Sequence, residues 1–278
     1  MHLSSIYYWN YDESFYKLDV NGATYDLNKP NKRWVLPKEL EEISGLSYFA
    51  KNQLACIQDE DGIFYIYDLK KNEIARKDKF GKKGDYEGVE VIADTAYVLK
   101  SNGDIFFFRI EKQGVGEVRK IKTDLTHQND TEGLGFLYGS EELLIGCKGD
   151  PGTKNNDIEK GRSIYRVELA EKKFKKKPKY LIDGKSYNKM LEKKGLSKKK
   201  HRPFKPSGVA VHPKNGYIFI IGTVGKMLVV LNPDGEIDNL IPLDPKMFWQ
   251  PEGICFSPNG DLYISSEGRG KNGYILKF

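Results

Sequence analysis

A motif repeated five times at a spacing of about 44 residues constrains this chain more than any other feature. Each copy places a polar residue and a glycine ahead of a short apolar run, as in "DYEGVEV" and "QPEGICF". The motif glycines are Gly45, Gly88, Gly133, Gly208 and Gly253, so the intervals between them are 43, 45, 75 and 45 residues. A period of this length is typical of folds that add one structural unit per repeat, and the long interval holds an extra segment of about 30 residues.

Every unit has the same internal order of short runs rich in Ile, Val, Tyr and Phe. In the second unit these runs are "VEVI", "TAYVLK", "IFFFRI" and the more polar "EVRKIKT", with turn residues between them. Short alternating runs at regular spacing predict successive antiparallel strands. Four strands in each of five units predict an all-β fold, a five-bladed β-propeller.

The two ends of the chain are predicted to meet in one blade. The last unit stops at Phe278 after its third run, and "KRWVL" (Lys32–Leu36) has the composition of the missing fourth strand. A strand from the N-terminal part would close the ring and cover a sheet edge that could otherwise pair with another chain. We therefore predict a single propeller over residues 32–278, with residues 1–31 as a tail or as extra strands.

The long interval contains a basic insertion at about residues 149–204. Ser186 is a plausible N-cap for one or two helical turns that stop near Gly195. The chain has a net charge of +6, and much of the excess lies between Lys172 and Arg202. Such runs suggest nucleic acid or another anionic partner, but they lack the interleaved aromatic residues of a stacking platform, so a solvated loop is favoured.

The residue before each motif glycine is predicted to reach one level of the central channel, because the first strand of a blade lies nearest the axis. These residues are Ser44, Glu87, Glu132, Ser207 and Glu252. Glycine would follow each of them because the inner strands crowd together there.

Carboxylates so close together cannot all stay ionised without compensation. A hard cation such as Ca²⁺ could bind between them, lysines could neutralise them, or water could fill the channel while one carboxyl group stays protonated. Lys100 and Lys148 end second strands and are placed to act as those lysines. Asp59 and Glu267 stand at about the same level.

Other reactive residue types give no site. Cys56, Cys147 and Cys255 lie far apart in apolar runs and are expected to be buried. The four histidines are expected at the surface or in turns, since none has the spacing of a zinc site. No apolar run approaches the roughly 20 residues of a membrane span, so no transmembrane segment is predicted. The N-terminus lacks the order of a signal peptide, which leaves the compartment open.

The motifs "LEEISGLSY", "GDYEGVEV", "FKPSGVAVHP" and "QPEGICFSPNGDLYISSEGRG" resemble the SdiA-regulated (YjiK-like) family, a bacterial relative of NHL-repeat propellers. The resemblance covers about residues 34–278. It implies a five-bladed propeller with a calcium site, and the matching motif positions are Glu87, Glu132 and Glu252. It also implies the periplasm or cell envelope for a chain whose signal has been removed, and it brings no settled reaction.

Three functions are compatible with these patterns. The first is a non-catalytic binding or scaffold propeller that recognises a protein, glycan or peptide on one face and holds a structural Ca²⁺ near the channel. The alternative is a metal-dependent hydrolase of lactonase or phosphoesterase type, with Glu267 or Asp59 as the general base. The third, nucleic-acid binding through residues 172–202, is the least favoured.

Overall fold

The computed structural model describes residues 11–154, 158, 160–196, 198 and 203–278, and its described residues form a five-bladed β-propeller. Five antiparallel sheets have four strands each, and within each sheet neighbouring strands follow one another along the chain, except where the ring closes. The predicted all-β class and the number and type of blades are confirmed.

In each blade the strands are named in order from the axis outward. They are β4 (Ile43–Ala50), β5 (Gln53–Gln58), β6 (Ile63–Asp68) and β7 (Glu73–Lys79) in blade 1; β8 (Tyr86–Ile92), β9 (Thr95–Lys100), β10 (Ile105–Arg109) and β11 (Arg119–Ile121) in blade 2; β12 (Thr131–Leu137), β13 (Glu142–Cys147), β14 (Arg162–Glu168) and β15 (Lys173–Ile182) in blade 3; β16 (Gly208–Val211), β17 (Ile218–Gly222), β18 (Met227–Leu231) and β19 (Ile237–Pro242) in blade 4; and β20 (Pro251–Phe256), β21 (Leu262–Ser266), β22 (Tyr274–Lys277) and β3 (Lys32–Val35) in blade 5.

Strand β3 closes the ring as predicted. It pairs antiparallel with the last strand of the chain, and Trp34 stands opposite Ile275. The Trp34 indole N–H donates a 2.7 Å hydrogen bond to the Leu69 carbonyl in blade 1. The closing strand therefore joins blade 5 to blade 1 as well as completing its own sheet.

The hydrophobic core is divided among the five interfaces between neighbouring blades. Between blades 1 and 2, for example, Phe64 and Phe108 are almost fully buried, with ring centroids 5.7 Å apart. Equivalent clusters fill the other four interfaces. Because the apolar sides of each sheet are covered by its neighbours, the ring must close before every blade is buried.

The N-terminal part of the chain adds a hairpin to the disc. Strands β1 (Lys17–Val20) and β2 (Ala23–Asp26) follow a short 3₁₀ helix (Glu13–Tyr16). They pack against blades 4 and 5, where the Tyr25 hydroxyl donates to the Gly260 carbonyl at 2.7 Å. The hairpin lies within residues 1–31, for which a tail or extra strands were expected, and residues 1–10 lie outside the described part.

The insertion contains one helix, α1 (Gly184–Lys193), which is longer than the one or two turns predicted. Its N-cap is Asp183 and not Ser186, because the Asp183 carboxylate accepts hydrogen bonds from the backbone N–H groups of Lys185 and Ser186. An aspartate ahead of the first turn satisfies two donors that the helix itself leaves free. Residues 155–157, 159, 197 and 199–202 of the insertion lie outside the described part.

The described cysteines and histidines lie in the environments predicted for them, except that one histidine is also buried. Cys56, Cys147 and Cys255 are buried free thiols. His127 is exposed, and His2 and His201 lie outside the described residues. His212 stands in a turn as predicted, yet it is buried against the rings of Phe219 and Phe256. In the described residues, no helix combines the length and apolar character that crossing a bilayer requires.

Candidate functional site

The motif glycines bring the five inner strands into contact around the axis. A methyl group placed on Gly208 would lie 2.2 Å from the Glu252 carbonyl oxygen of the next blade, and one on Gly45 would lie 2.9 Å from the Val89 nitrogen. The last motif glycine, Gly253, crowds blade 1 in the same way. Glycine is required here because a side chain would collide with the backbone of the neighbouring blade. The predicted reason for the motif glycine is therefore confirmed.

A β-bulge accompanies the motif in four blades. The register between the first and second strands shifts at Ile43/Gly45, Tyr86/Gly88, Thr131/Leu134 and Pro251/Ile254. An extra residue in one strand turns its side chain away from the regular alternation. The bulges therefore release Ser44, Glu87, Glu132 and Glu252 from ordinary strand geometry at one end of the channel.

The two motif serines join neighbouring blades. The Ser44 hydroxyl donates to the Tyr86 carbonyl at 2.7 Å, and the Ser207 hydroxyl donates to the Pro251 carbonyl at 2.6 Å. Each acceptor precedes the motif glutamate of the following blade. Ser44 and Ser207, which were predicted to line the channel, thus form hydrogen bonds between neighbouring blades. The repeat pattern did not reveal this role.

The motif glutamates are close enough to influence one another. Glu132 and Glu252 are buried, and Glu87 lines the channel. Burial, followed by the charge of Glu132, raises the pKa of both Glu87 and Glu252. Burial also raises the pKa of Glu132, although an ion pair with Lys148 opposes this shift. The structure therefore brings the three predicted acids together, with one lysine among them.

The prediction that Lys100 faces this cluster is wrong. Its ammonium group lies over the Tyr86 ring, 5.4 Å from the centroid. Ser101 lies at the same level in blade 2 as Lys148 does in blade 3. The Ser101 N–H donates to the Asp85 carbonyl and the Lys148 N–H donates to the Asp130 carbonyl. Each acceptor stands two positions before the motif glutamate of its blade. Successive side chains in a strand face opposite sides, so a shift of one residue removes Lys100 from the site.

Asp59 and Glu267 occupy the predicted level. Their backbone N–H groups make the same contact as that of Lys148, to Glu42 and Gln250. Burial, followed by the charge of Glu42, raises the pKa of Asp59 to about 6. Burial, followed by the charge of Asp59, raises the pKa of Glu267 to about 7.

An outer rim of carboxylates, which the sequence analysis missed, surrounds these groups. Glu42, Asp85 and Asp130 stand two residues before Ser44, Glu87 and Glu132, and each raises the pKa of a carboxyl group deeper in the site. Their signal was the acidic residue at the same offset in three motif copies. We call the whole set the acidic channel end. It consists of Glu42, Asp59, Asp85, Glu87, Asp130, Glu132, Glu252 and Glu267.

Lys226 is a second cation that sequence reasoning missed. It lies in the turn just before the third strand of blade 4 and donates from its ammonium group to the Trp249 carbonyl. Burial lowers its pKa to about 8, against the opposing charge of Glu252. The lysines predicted to face the site were those at the ends of second strands, and Lys226 is not at such a position.

A hydrogen-bonded chain connects Glu252 to the backbone. The Thr223 hydroxyl lies 2.9 Å from a Glu252 carboxyl oxygen and 2.7 Å from the Pro251 carbonyl. A hydroxyl has one proton to donate. Both contacts are satisfied together when Glu252 is protonated and donates to Thr223, which then donates to Pro251. This arrangement agrees with the raised pKa of Glu252.

The acidic channel end retains unsatisfied oxygen atoms. Glu132 Oε2 and Asp59 Oδ1 are buried and have no hydrogen-bond partner. Carboxylate oxygens in this number are the donors that a hard cation such as Ca²⁺ prefers. Among the described residues, however, no group of three or more His, Cys, Asp or Glu side chains stands in metal-binding geometry. The carboxylate oxygens suit a hard cation. The ammonium group of Lys148 lies beside Glu132, in the position that such a cation would share.

Part of the basic run of the insertion is paired with acidic residues. Lys173, Lys175, Lys176 and Lys179 in the outer strand β15 form ion pairs with acidic residues of this chain. A surface whose lysines are already paired offers fewer free charges to a phosphate backbone. These pairs reduce the free positive charge of strand β15, and residues 199–202 of the run lie outside the described part.

Solved structures with a similar fold have low sequence identity to this chain. A luciferin-regenerating enzyme is 14% identical, with 90% of this chain and 95% of that chain covered and a TM-score of 0.56. The gluconolactonase XC5397 from Xanthomonas campestris is 10% identical, with coverages of 84% and 71% and a TM-score of 0.53. A chain of a nidogen/laminin complex is 11% identical, with coverages of 81% and 72% and a TM-score of 0.50. At these identities the likeness concerns the fold alone.

The comparison of families is more specific. A search of the curated proteins gives no match. The model of the SdiA-regulated family matches residues 26–270, which include every motif copy and all residues of the acidic channel end. This chain therefore belongs to the SdiA-regulated family.

Proposed function

We propose that this propeller is a non-catalytic binding protein whose ligand site is the acidic channel end, and that a hard cation, Ca²⁺, binds there among Glu87, Glu132 and Glu252. The observation that carries the proposal is the excess of carboxylates over cations at this end. The acidic channel end has eight carboxyl groups against the cations Lys148, Lys226 and Arg269, and the buried Glu132 Oε2 lacks a partner. A buried anionic oxygen without a partner is costly, and a bound cation would remove that cost.

A bound Ca²⁺ would supply a fixed positive charge and coordination positions for a ligand's oxygen atoms. The residues of this chain hold the site rigid, because the inner strands are locked by the motif glycines and by the hydrogen bonds of Ser44 and Ser207. A rigid ring that presents charge on one face suits recognition of a protein, glycan or peptide.

Thermal unfolding in millimolar Ca²⁺ and in a chelator tests the proposal. At a free ion concentration of about 100 times Kd, the folded state gains about 2.7 kcal/mol. In a domain of this size that gain raises Tm by about 5–10 °C. We expect Glu132→Gln to lose the shift, while the exposed Glu73→Gln in strand β7 keeps it. No shift in the wild type, or an equal shift in Glu132→Gln, would overturn the proposal.

A metal-dependent hydrolase is the second candidate, favoured by the raised pKa of two carboxyl groups at the site. The pKa of Glu267 is about 7 and that of Asp59 about 6, which suits a general base near neutral pH. Two structural neighbours are by their names a luciferin-regenerating enzyme and a gluconolactonase, and this likeness is one of fold.

A panel of lactones and phosphoesters, assayed with Ca²⁺ and with chelator, distinguishes the two candidates. Turnover that requires Ca²⁺ and falls at least a hundredfold in Glu267→Gln or Asp59→Asn, but not in Glu73→Gln, would support the hydrolase. A thermal shift with Ca²⁺ without turnover on any substrate would support the binding protein.

A further inference from the structure

The opposite end of the channel contains a separate cavity of about 90 Å³. The side chains that line it come from three to six residues beyond the motif residues along the chain, which corresponds to about 10 Å or more of strand. Between the two ends the channel narrows to an open volume of about 10 Å³, with Leu46, Val89 and Ile254 among its walls. That volume is about one water molecule. The cavity is therefore independent of the acidic channel end.

Glu90 is the only charged side chain among the described residues that line this cavity. The Ser47 hydroxyl donates to its carboxylate at 2.9 Å and accepts from the Val91 backbone N–H at 3.0 Å. Burial raises the pKa of Glu90 to about 8; hydrogen bonds from Ser47 and from the Phe136 and Val91 backbone oppose this shift, and no cationic side chain does. A carboxylate in this setting is costly to maintain unless it meets a positive group.

Aromatic side chains surround this carboxylate. Tyr48, Phe136, Tyr138 and Phe256 all line the cavity. The Phe136 and Tyr138 rings meet edge to face, with centroids 4.9 Å apart, and Tyr138 is 55% exposed, which is unusual for a large side chain in this molecule. Aromatic rings attract cations through their quadrupole, and organic ammonium groups are recognised by such ring clusters.

We propose that this end of the channel is a binding site for an organic ammonium group, with the Glu90 carboxylate as its counter-ion and the surrounding aromatic rings as its walls. The chemistry excludes a calcium-type ion, which needs six to eight oxygen ligands. One carboxylate inside an apolar wall instead suits a weakly hydrated cation on a carbon chain, such as a lysine side chain or a methylated amine. The volume admits the ammonium head and leaves the chain to extend past Tyr138 towards solvent.

Titration of the isotope-labelled full chain by NMR tests the site. The probes are n-butylammonium and butyltrimethylammonium, with n-butanol as the neutral control. We expect either cation to bind at least tenfold more tightly than n-butanol and to shift signals around Glu90 and Tyr138. The primary and methylated probes distinguish a lysine-type ligand from a methylated one.

Variants separate a specific site from general binding. Glu90→Gln keeps the shape and is expected to lose at least tenfold in affinity for the cation, with n-butanol unaffected. Its Tm should equal or exceed that of the wild type, because a partly buried carboxylate without a counter-ion is removed. Tyr138→Leu, at an exposed position that leaves the core intact, should weaken cation binding severalfold, and Glu73→Gln should not change it. Equal binding of n-butanol and the cations, or an unchanged preference in Glu90→Gln, would show that the site does not exist.

Discussion

The ammonium group of Lys148 donates to Glu132 Oε1 at the centre of the acidic channel end. Glu132 lies in the inner strand of blade 3, and Lys148 follows the strand paired with it, so the pair is formed within one blade. The charges of Glu132 and Glu252 raise the pKa of Lys148 against the effect of its burial. One lysine therefore compensates carboxylates from two blades.

Loss of Lys148 is expected to destabilise the fold. Lys148→Met leaves Glu132 buried without its partner, and breaking a buried pair from one side costs about 3–5 kcal/mol. Because the Lys148 side chain is 28% exposed, we expect a smaller loss of about 1–3 kcal/mol in the free energy of unfolding. Urea denaturation measures it. The double variant Lys148→Met with Glu132→Gln should recover most of the loss, and a double variant as unstable as the single one would show that the pair itself is not responsible.

The same substitution is expected to strengthen cation binding if Ca²⁺ occupies the site. Lys148 and a metal ion would compete for Glu132, so removing the lysine frees a carboxylate and removes a like charge. We expect the apparent Kd for Ca²⁺ to fall at least tenfold in Lys148→Met, as measured by calorimetry at pH 7. An unchanged or weakened affinity would place the ion away from Glu132.

Stability is expected to fall as pH rises from 5 to 7. The Glu267 carboxyl group has an ordinary pKa of 4.5 in the unfolded chain and about 7 in the folded state. Between these values the folded state binds the extra proton, so the free energy of unfolding decreases with rising pH by up to about 1.4 kcal/mol per pH unit for each such proton. Asp59, at about 6, acts in the same direction.

His212 acts in the opposite direction, because burial lowers its pKa from 6.5. A difference measurement removes this contribution. We expect the pH slope of the unfolding free energy to be shallower in Glu267→Gln than in the wild type, by urea denaturation at several pH values. Equal slopes would mean that Glu267 titrates normally in the folded protein.

The sequence predicted most of the fold because the repeat is carried by backbone requirements. The glycine after each motif residue is needed where a neighbouring backbone approaches, as at Gly208 and Gly45. Closure by Trp34 was also predictable, since an unpaired outer strand and a spare strand of suitable composition stood at opposite ends of the chain. These features depend on spacing, which is visible in a single sequence.

The site was predictable only in part because it depends on register. Lys100 pairs with Tyr86 inside strand β9, so Ser101 stands where Lys100 was expected. Lys226 reaches the site from the turn before a third strand, a position with no counterpart in the pattern. Hydrogen bonds between blades, such as that of Ser207, also cannot be read from the repeat pattern.

The closing strand is expected to contribute strongly to stability through one side chain. Trp34 is 5% exposed, packs near Tyr263 and bonds the Leu69 carbonyl. Trp34→Ala removes this packing and leaves a buried carbonyl unpaired, so a loss of about 3–5 kcal/mol is expected in urea denaturation. Val35→Ala, at the neighbouring exposed position, should change stability by less than about 1 kcal/mol. If the two variants were equally stable, the ring would not depend on this contact.

The contact between inner strands gives the most direct test of the architecture. In Gly208→Ala the new methyl group would lie 2.2 Å from the Glu252 carbonyl oxygen, and that oxygen belongs to the backbone of the neighbouring blade. A backbone atom cannot move aside without disturbing the ring, so we expect a loss of 3 kcal/mol or more, at or beyond the upper end of the usual range of about 1–3 kcal/mol for overpacking. Gly139→Ala is the matched control, because no atom lies within 4 Å of its new methyl group. That substitution should be neutral or slightly stabilising, since alanine restricts the unfolded chain. Chemical denaturation of both variants measures the difference, and a Gly208→Ala protein as stable as Gly139→Ala would mean that blades 4 and 5 do not meet as closely at the axis as described.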